Sequence, residues 1–150
     1  MIESILLTMV LHANPQQSPS FPAVVSLGEK EFTGASLYRG RMFRSEWESV
    51  RKCIRTRESN NRYGAVNRTG KYRGAYQMSP ELGVGVGWMI QKELRAAHGV
   101  PKKFAVDIGK KLRGTPVNKW SKFYQDMAFW LVFNNGKGKS HWDAQAAACY

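Results

Sequence analysis

The residues with chemical potential lie between Arg57 and Met78, where one acid, Glu58, precedes a polar, glycine-punctuated run of amides, arginines and tyrosines. Between Glu58 and Glu93 the sequence holds a single further acid, Glu81. A lone carboxylic acid facing donors and aromatic rings is the arrangement that protonation of a glycosidic oxygen requires. A carboxyl at the end of a helix sits in a negative field that favours its protonated form, and burial would raise its pKa further. Arg55, Arg57 and Arg62 would oppose that shift if they turned toward it. The alternative is an ordinary helix-end glutamate in a surface ion pair of little energetic consequence.

The elements that must position this acid can be read on both sides of it. Ser45-Glu46-Trp47-Glu48 has the spacing of a capping box. After it, Trp47, Val50, Cys53 and Ile54 recur at helical spacing, which assigns a helix with an apolar face and places Arg51, Lys52 and Arg55 largely elsewhere. Asn60-Asn61 and Gly64 stop that helix near Glu58. From Tyr63 to Met78, Gly64, Gly70 and Gly74 break any helix, and Thr69-Gly70-Lys71 suits the turn of a small irregular β-hairpin. Ser79-Pro80-Glu81 has the form of a helix start, weakened by Gly83, Gly85 and Gly87, so the firmer helix is Trp88–His98. A helix over Pro101–Arg113 follows, with Phe104, Ile108 and Leu112 inward. Another begins at Thr115-Pro116, carries Trp120, Phe123, Met127 and Leu131, and ends at Asn134-Asn135-Gly136. The fold class expected is mainly α (α+β), with the hairpin placed after the helix that carries Glu58. Asp107, Asp126 and Asp143 are expected at helix surfaces.

The chain of 150 residues is long enough for one domain plus an extension. Residues 1–44 read as an N-terminal apolar segment, a linker and an arm, and residues 45–150 as the domain. Ile5–Leu11 is short and apolar like the core of a secretory signal, but Glu3 stands where basic residues belong, and a short helix or strand explains it equally well. Asn14–Pro22 has linker composition, and Ala23–Gly40 reads as an arm packed on the domain. No stretch approaches a membrane span.

Cys53 and Cys149 lack metal-ligand spacing, His12, His98 and His141 are scattered, and Gly83–Gly87 lacks the context of a phosphate loop, so neither metal nor cofactor is expected. The cysteines are either two buried thiols or, as favoured, a bridge tying the first core helix to the end of the chain. A loop of that length is worth about 4–5 kcal/mol in the chain-entropy account. The net charge of +12 suits an anionic partner: nucleic acid, a membrane surface or a cell-wall polymer.

Glu58-Ser59, then Gly70, then Gly74-Ala75-Tyr76-Gln77-Met78 resembles the signature of the soluble lytic transglycosylases, in which Glu-Ser is followed by Gly and by Gly-Leu-Met-Gln-Ile. Ala128–Gly136, ending Phe133-Asn134-Asn135-Gly136, is similar to that family's Tyr-Asn-Ala-Gly block. Gly136, Trp142 and Cys149 resemble the end of the resuscitation-promoting-factor domains. Cys53 precedes Glu58 by five residues, where those domains have the cysteine directly before the glutamate, and Phe133 replaces a tyrosine.

The resemblance covers roughly Trp47–Cys149 and implies a lysozyme-like fold. It makes Glu58 the catalytic acid, Ser59 its local support, Gln77 a cleft or acid-positioning amide, Gly74 the point of close backbone approach to a sugar, and Tyr76 a cleft-lining ring. Asn134 would help close the site. The implied activity is cleavage of the bond between N-acetylmuramic acid and N-acetylglucosamine in peptidoglycan. With no second acid in the hairpin, attack by the muramic 6-hydroxyl is favoured over attack by water. A muramidase on the same fold, a basic nucleic-acid-binding module and an inactive cell-wall-binding domain are the other readings. The partners implied are glycan strands and anionic cell-wall polymers, with no specific nucleic acid. A monomer is expected, outside the cytoplasm or associated with a phage.

Overall fold

A computed structural model describes residues 34–150, and these are mainly helical. The apolar segment, the linker and the first part of the arm lie outside the described residues. A 3-10 turn, Ser45–Trp47, leads into α1, Glu48–Ser59. Then come α2 (Pro80–His98), α3 (Lys102–Arg113), α4 (Lys122–Phe133) and the short α5 (Asp143–Ala146), the last between 3-10 turns Lys139–Trp142 and Ala147–Cys149.

The expected capping box does not form, because no side chain caps the start of α1. Glu48 is engaged elsewhere: its carboxylate accepts from the Ser36 amide at 2.8 Å and from Arg51 at 2.6 Å. The inward face of α1 also differs from the expectation, since Arg51, Ile54, Arg55 and Ser59 are buried. The two arginines turn inward because buried phenols and carboxylates await them. The helix does stop where expected, with Asn60 and Asn61 in left-handed conformation, φ 52° and 65°.

Between α1 and α2 the chain forms a flap, residues 60–79, with two isolated antiparallel bridges, Val66 to Arg73 and Arg73 to Met78, in place of the expected hairpin strands. Its turn is closed by the Gly70 amide donating to the Asn67 carbonyl. The flap is pinned to α4 by Gln125, whose Oε1 accepts from the Ala75 amide at 2.8 Å and whose Nε2 donates to the Tyr63 and Trp120 carbonyls.

Helix α2 starts at Pro80, with the Ser79 hydroxyl accepting from the Leu82 amide. It runs through the three glycines expected to weaken it. They do not break the helix because space, not conformation, requires two of them: a Cβ on Gly87 would meet Arg113 Cγ at 2.6 Å and one on Gly83 would meet Val117 Cγ2 at 2.9 Å. Helix α4 starts at Lys122, capped by Ser121, later than the expected Thr115-Pro116, which leads instead into a separate 3-10 turn, Val117–Lys119. It is buried from Gln125 to Phe133 and forms the centre of the core. Phe129 and Phe133 stack at 5.1 Å, and Trp142 packs on both.

The described end of the arm, residues 34–40, is part of this core. Tyr38 is fully buried and donates to Glu93 at 2.6 Å, and the Ser36 hydroxyl accepts from Trp130 Nε1. The expected bridge is present, joining Cys53 on α1 to Cys149 across 96 residues of sequence. No helix among the described residues is long and apolar enough to cross a membrane.

Gly74 combines a φ of +82° with a Cβ direction that would place an added carbon 2.6 Å from Gln125 Oε1. Gly74→Ala therefore suffers both left-handed strain and a clash at the flap anchor. A loss of about 2–4 kcal/mol is expected in urea unfolding, against under about 1 kcal/mol for an alanine at Gly64, which has open space around it.

Candidate active site

Glu58 occupies the last turn of α1 and opens into a cleft of about 430 Å³. One side of the cleft is made by the flap residues Asn67, Tyr72 and Gln77, the other by His141, Trp142, Ala144 and Gln145. Each side has its own support. The Asn67 carboxamide accepts from the Tyr72 amide at 3.0 Å, fixing the turn that presents the Tyr72 ring. Gln77 holds a φ of 48° and donates its side-chain Nε2 to the Gly74 carbonyl at 2.9 Å. Trp142 is buried and donates from Nε1 to the Tyr76 carbonyl at 2.9 Å, so the far side is fastened to the flap through the backbone. The bridge from Cys53 fastens the end of the same segment to α1.

Burial pushes the Glu58 carboxyl up to about 7, and no other cause contributes to that shift. Among the described residues no hydrogen bond or ion pair engages it. The neighbouring arginines are committed elsewhere: Arg55 donates to the Tyr63 hydroxyl and the Asn61 carboxamide, and Arg62 to the Ser59 carbonyl. Arg57 lines the cleft without lowering the acid. An unpaired carboxyl of this kind holds its proton near neutral pH and can give it to a bound oxygen. Among the described residues that line the cleft, Glu58 is the one carboxylic acid.

The structure brings Glu58 and Gln77 together and places the other predicted residues differently. Ser59 is buried and bonds within the helix end, donating to the Arg55 carbonyl and accepting from the Arg62 amide, so it supports the turn behind Glu58. Gly74 permits close approach to Gln125 on α4 and does not line the cleft. Tyr76 is not a cleft ring, because its side chain is only 1% exposed and its hydroxyl donates to Asp126 at 2.6 Å. Asn134 is the left-handed cap of α4 and lies outside the cleft lining. Asp107 and Asp143 are exposed as expected, whereas Asp126 is fully buried.

Sequence reasoning passed over Tyr72, Asn67, His141 and Gln145 as cleft residues. Tyr72 could have been found from the alternation around the Gly70 turn, which sends it and Arg73 to opposite sides of the flap. The contributions of 141–145 could not, because only the tertiary path of the tail returns them to Glu58.

No protein-family model matches this chain, and no curated protein or solved structure matches it. The chemistry of the site therefore rests on its own geometry. Tyr150, outside the cleft lining, donates its hydroxyl to the Lys139 carbonyl at 2.8 Å; burial first, then Asp143 and Glu58, push its phenol up.

The raised pKa of Glu58 makes stability depend on pH. In the unfolded chain the group loses its proton near 4.5, and in the folded protein near 7. Between those values the folded state binds more protons, so this contribution is complete below the lower value and is lost as pH rises through the upper one. Glu58→Gln removes the buried ion. Its melting temperature should exceed the parent's at pH 8 and approach it at pH 4; a difference independent of pH would show that the ion is not penalised.

Proposed function

We propose that the protein is a peptidoglycan-cleaving glycosidase, a lytic transglycosylase with Glu58 as its one acid and base. The observation that carries this reading is the unpaired, half-buried Glu58 carboxyl, held near 7 in a cleft furnished with an exposed tyrosine and carboxamides. Protonated Glu58 gives its proton to the glycosidic oxygen as the bond from C1 of N-acetylmuramic acid breaks and positive charge develops on the ring. The 6-hydroxyl of the same residue attacks C1 and passes its proton to the Glu58 carboxylate, restoring the acid. The products are a 1,6-anhydro end and a free hydroxyl on the departing chain, with no net consumption of water. A lysozyme-like arrangement of helices around the cleft belongs to the same proposal, as does action on the cell wall outside the cytoplasm, where the Cys53–Cys149 bridge is stable.

Tyr72 supplies a stacking face for a sugar ring, and Gln77, Asn67 and Gln145 supply amides for its acetamido and hydroxyl groups. The charge of +12 favours association with a polymer rich in carboxylates.

Glu58→Gln should reduce lysis of purified cell walls by about 100-fold or more. Activity of the parent should fall as pH rises above about 7, where the acid is lost. Mass spectrometry of the digest should show anhydro ends; survival of lysis in the glutamine variant would sink the assignment.

A further inference from the structure

A second concavity shares no lining residue with the Glu58 cleft. It encloses about 650 Å³ between the C-terminal half of α2 and the start of α3. Lys92 and Arg95 line it from α2 and Lys102 from α3, with no carboxylate among its lining residues. All three are exposed, and among the described residues no ion pair engages them. Acids on the same helices are occupied or absent from the lining: Glu93 is sealed beneath Tyr38 and Arg41, and Asp107 lies outside it. Lys92 and Arg95 are three residues apart on one helix, where like charges repel. An unneutralised cluster of this kind costs folding stability that a bound anion would return.

Trp88 lines the same concavity. It is 57% exposed, the highest value among the exposed large apolar side chains. Its orientation is fixed from one side. The Arg113 guanidinium lies 3.5 Å from the ring centroid, and Arg113 Nη1 donates to Gln91 Oε1 at 3.1 Å. A rigid, outward-facing indole beside three unsatisfied cations matches a ligand that alternates flat apolar faces with acid groups. A ringless phosphate polymer would leave the indole uncovered. A single nucleic-acid strand would ordinarily meet a row of aromatic platforms, and here there is one.

We infer that this groove is a second, non-catalytic binding site for the carboxylate-bearing glycan strand of the cell wall. It holds the polymer at Trp88, Lys92, Arg95 and Lys102 while Glu58 works at another point on it. The inference rests on the proposed function for the identity of the polymer. The observation of a built cationic groove does not depend on Glu58.

The test uses the full chain carrying Glu58→Gln, so that binding is measured without turnover. The protein is co-sedimented with purified cell-wall sacculi stripped of attached phosphate polymers, alone and with Lys92→Glu and Arg95→Glu added. Trp88→Ala is measured separately. The added charge reversals should weaken binding by about tenfold or more and make it less sensitive to salt, and Trp88→Ala should weaken it as well, all with melting temperatures near the parent's. Soluble glycan fragments should shift the tryptophan emission of the Glu58→Gln chain more than that of the same chain with Trp88→Ala added. Sedimentation unchanged by the charge reversals would overturn the inference. So would loss of binding on removing the phosphate polymers, or displacement of the glycan by single-stranded DNA through the same residues. If the groove binds sacculi but the Glu58 parent never cleaves them, the catalytic reading fails and this one stands.

Discussion

Asp126 is fully buried on α4, and a carboxylate in that position costs several kcal/mol unless donors reach it. Burial pushes its carboxyl up, and Arg51, Tyr63, Tyr76 and the Leu37 amide pull it back. The donors come from three separate segments. Tyr63 and Tyr76 of the flap donate to Oδ1 at 2.7 and 2.6 Å, the Leu37 amide of the arm donates to Oδ2 at 2.9 Å, and Arg51 of α1 stands 3.5 Å from Oδ1. Each phenol is itself approached by a guanidinium, Arg55 at Tyr63 and Arg51 at Tyr76. Satisfying one buried charge thus sets α1, the flap and the arm in register on α4. The register extends to the cleft, because the Tyr76 carbonyl is the acceptor that seats Trp142.

How far this was legible in the sequence follows from the same residues. The helices were read from apolar spacing and two of their ends from Asn60-Asn61 and Asn134-Asn135, signals that act locally, whereas the start at Ser79-Pro80 was discounted for the glycines after it and that of α4 was placed too early. The polar core was not legible, because Arg51, Arg55, Gln125 and Asp126 belong on a surface by residue type. Asp126 is inside because Arg51 and Tyr63 reach it from far along the chain, and Arg55 and Gln125 join the same cluster through the Tyr63 hydroxyl and carbonyl. The flap shows the same limit. Its glycine and asparagine turns were visible, but its anchoring to Gln125 replaces much of the strand pairing that would have made a hairpin. Glu58 could be singled out because its isolation is a property of the sequence itself, whereas Tyr76 was put in the cleft by the resemblance, and nothing local in the sequence signals the Asp126 that holds its hydroxyl inside.

The acid keeps its character inside a strongly basic chain by an arrangement of commitments. Arg55 and Arg62 are spent on Tyr63, Asn61 and the Ser59 carbonyl, so their charge is delivered to the core and the helix end, while Arg57 lines the cleft beside the acid without pairing with it. What remains around the carboxyl is partial burial without a counterion, and that alone accounts for its retained proton. The positive charge instead faces outward, where three cations and an exposed indole gather over α2 and α3. One molecule therefore separates a site that needs a neutral acid from a surface that attracts anions.

The Cys53–Cys149 bond turns most of the described chain into a covalent ring. Glu58, the flap, the three long helices that follow and the opposing side of the cleft all lie within it. A single backbone cut anywhere inside that ring yields a two-chain molecule rather than two fragments, and the acid stays tethered to the surface it works against. With lysine or arginine at 23 positions of the sequence, the chain is rich in bonds that trypsin-like proteases attack. The ring gives the cleft a durability against nicking that the non-covalent core does not provide by itself.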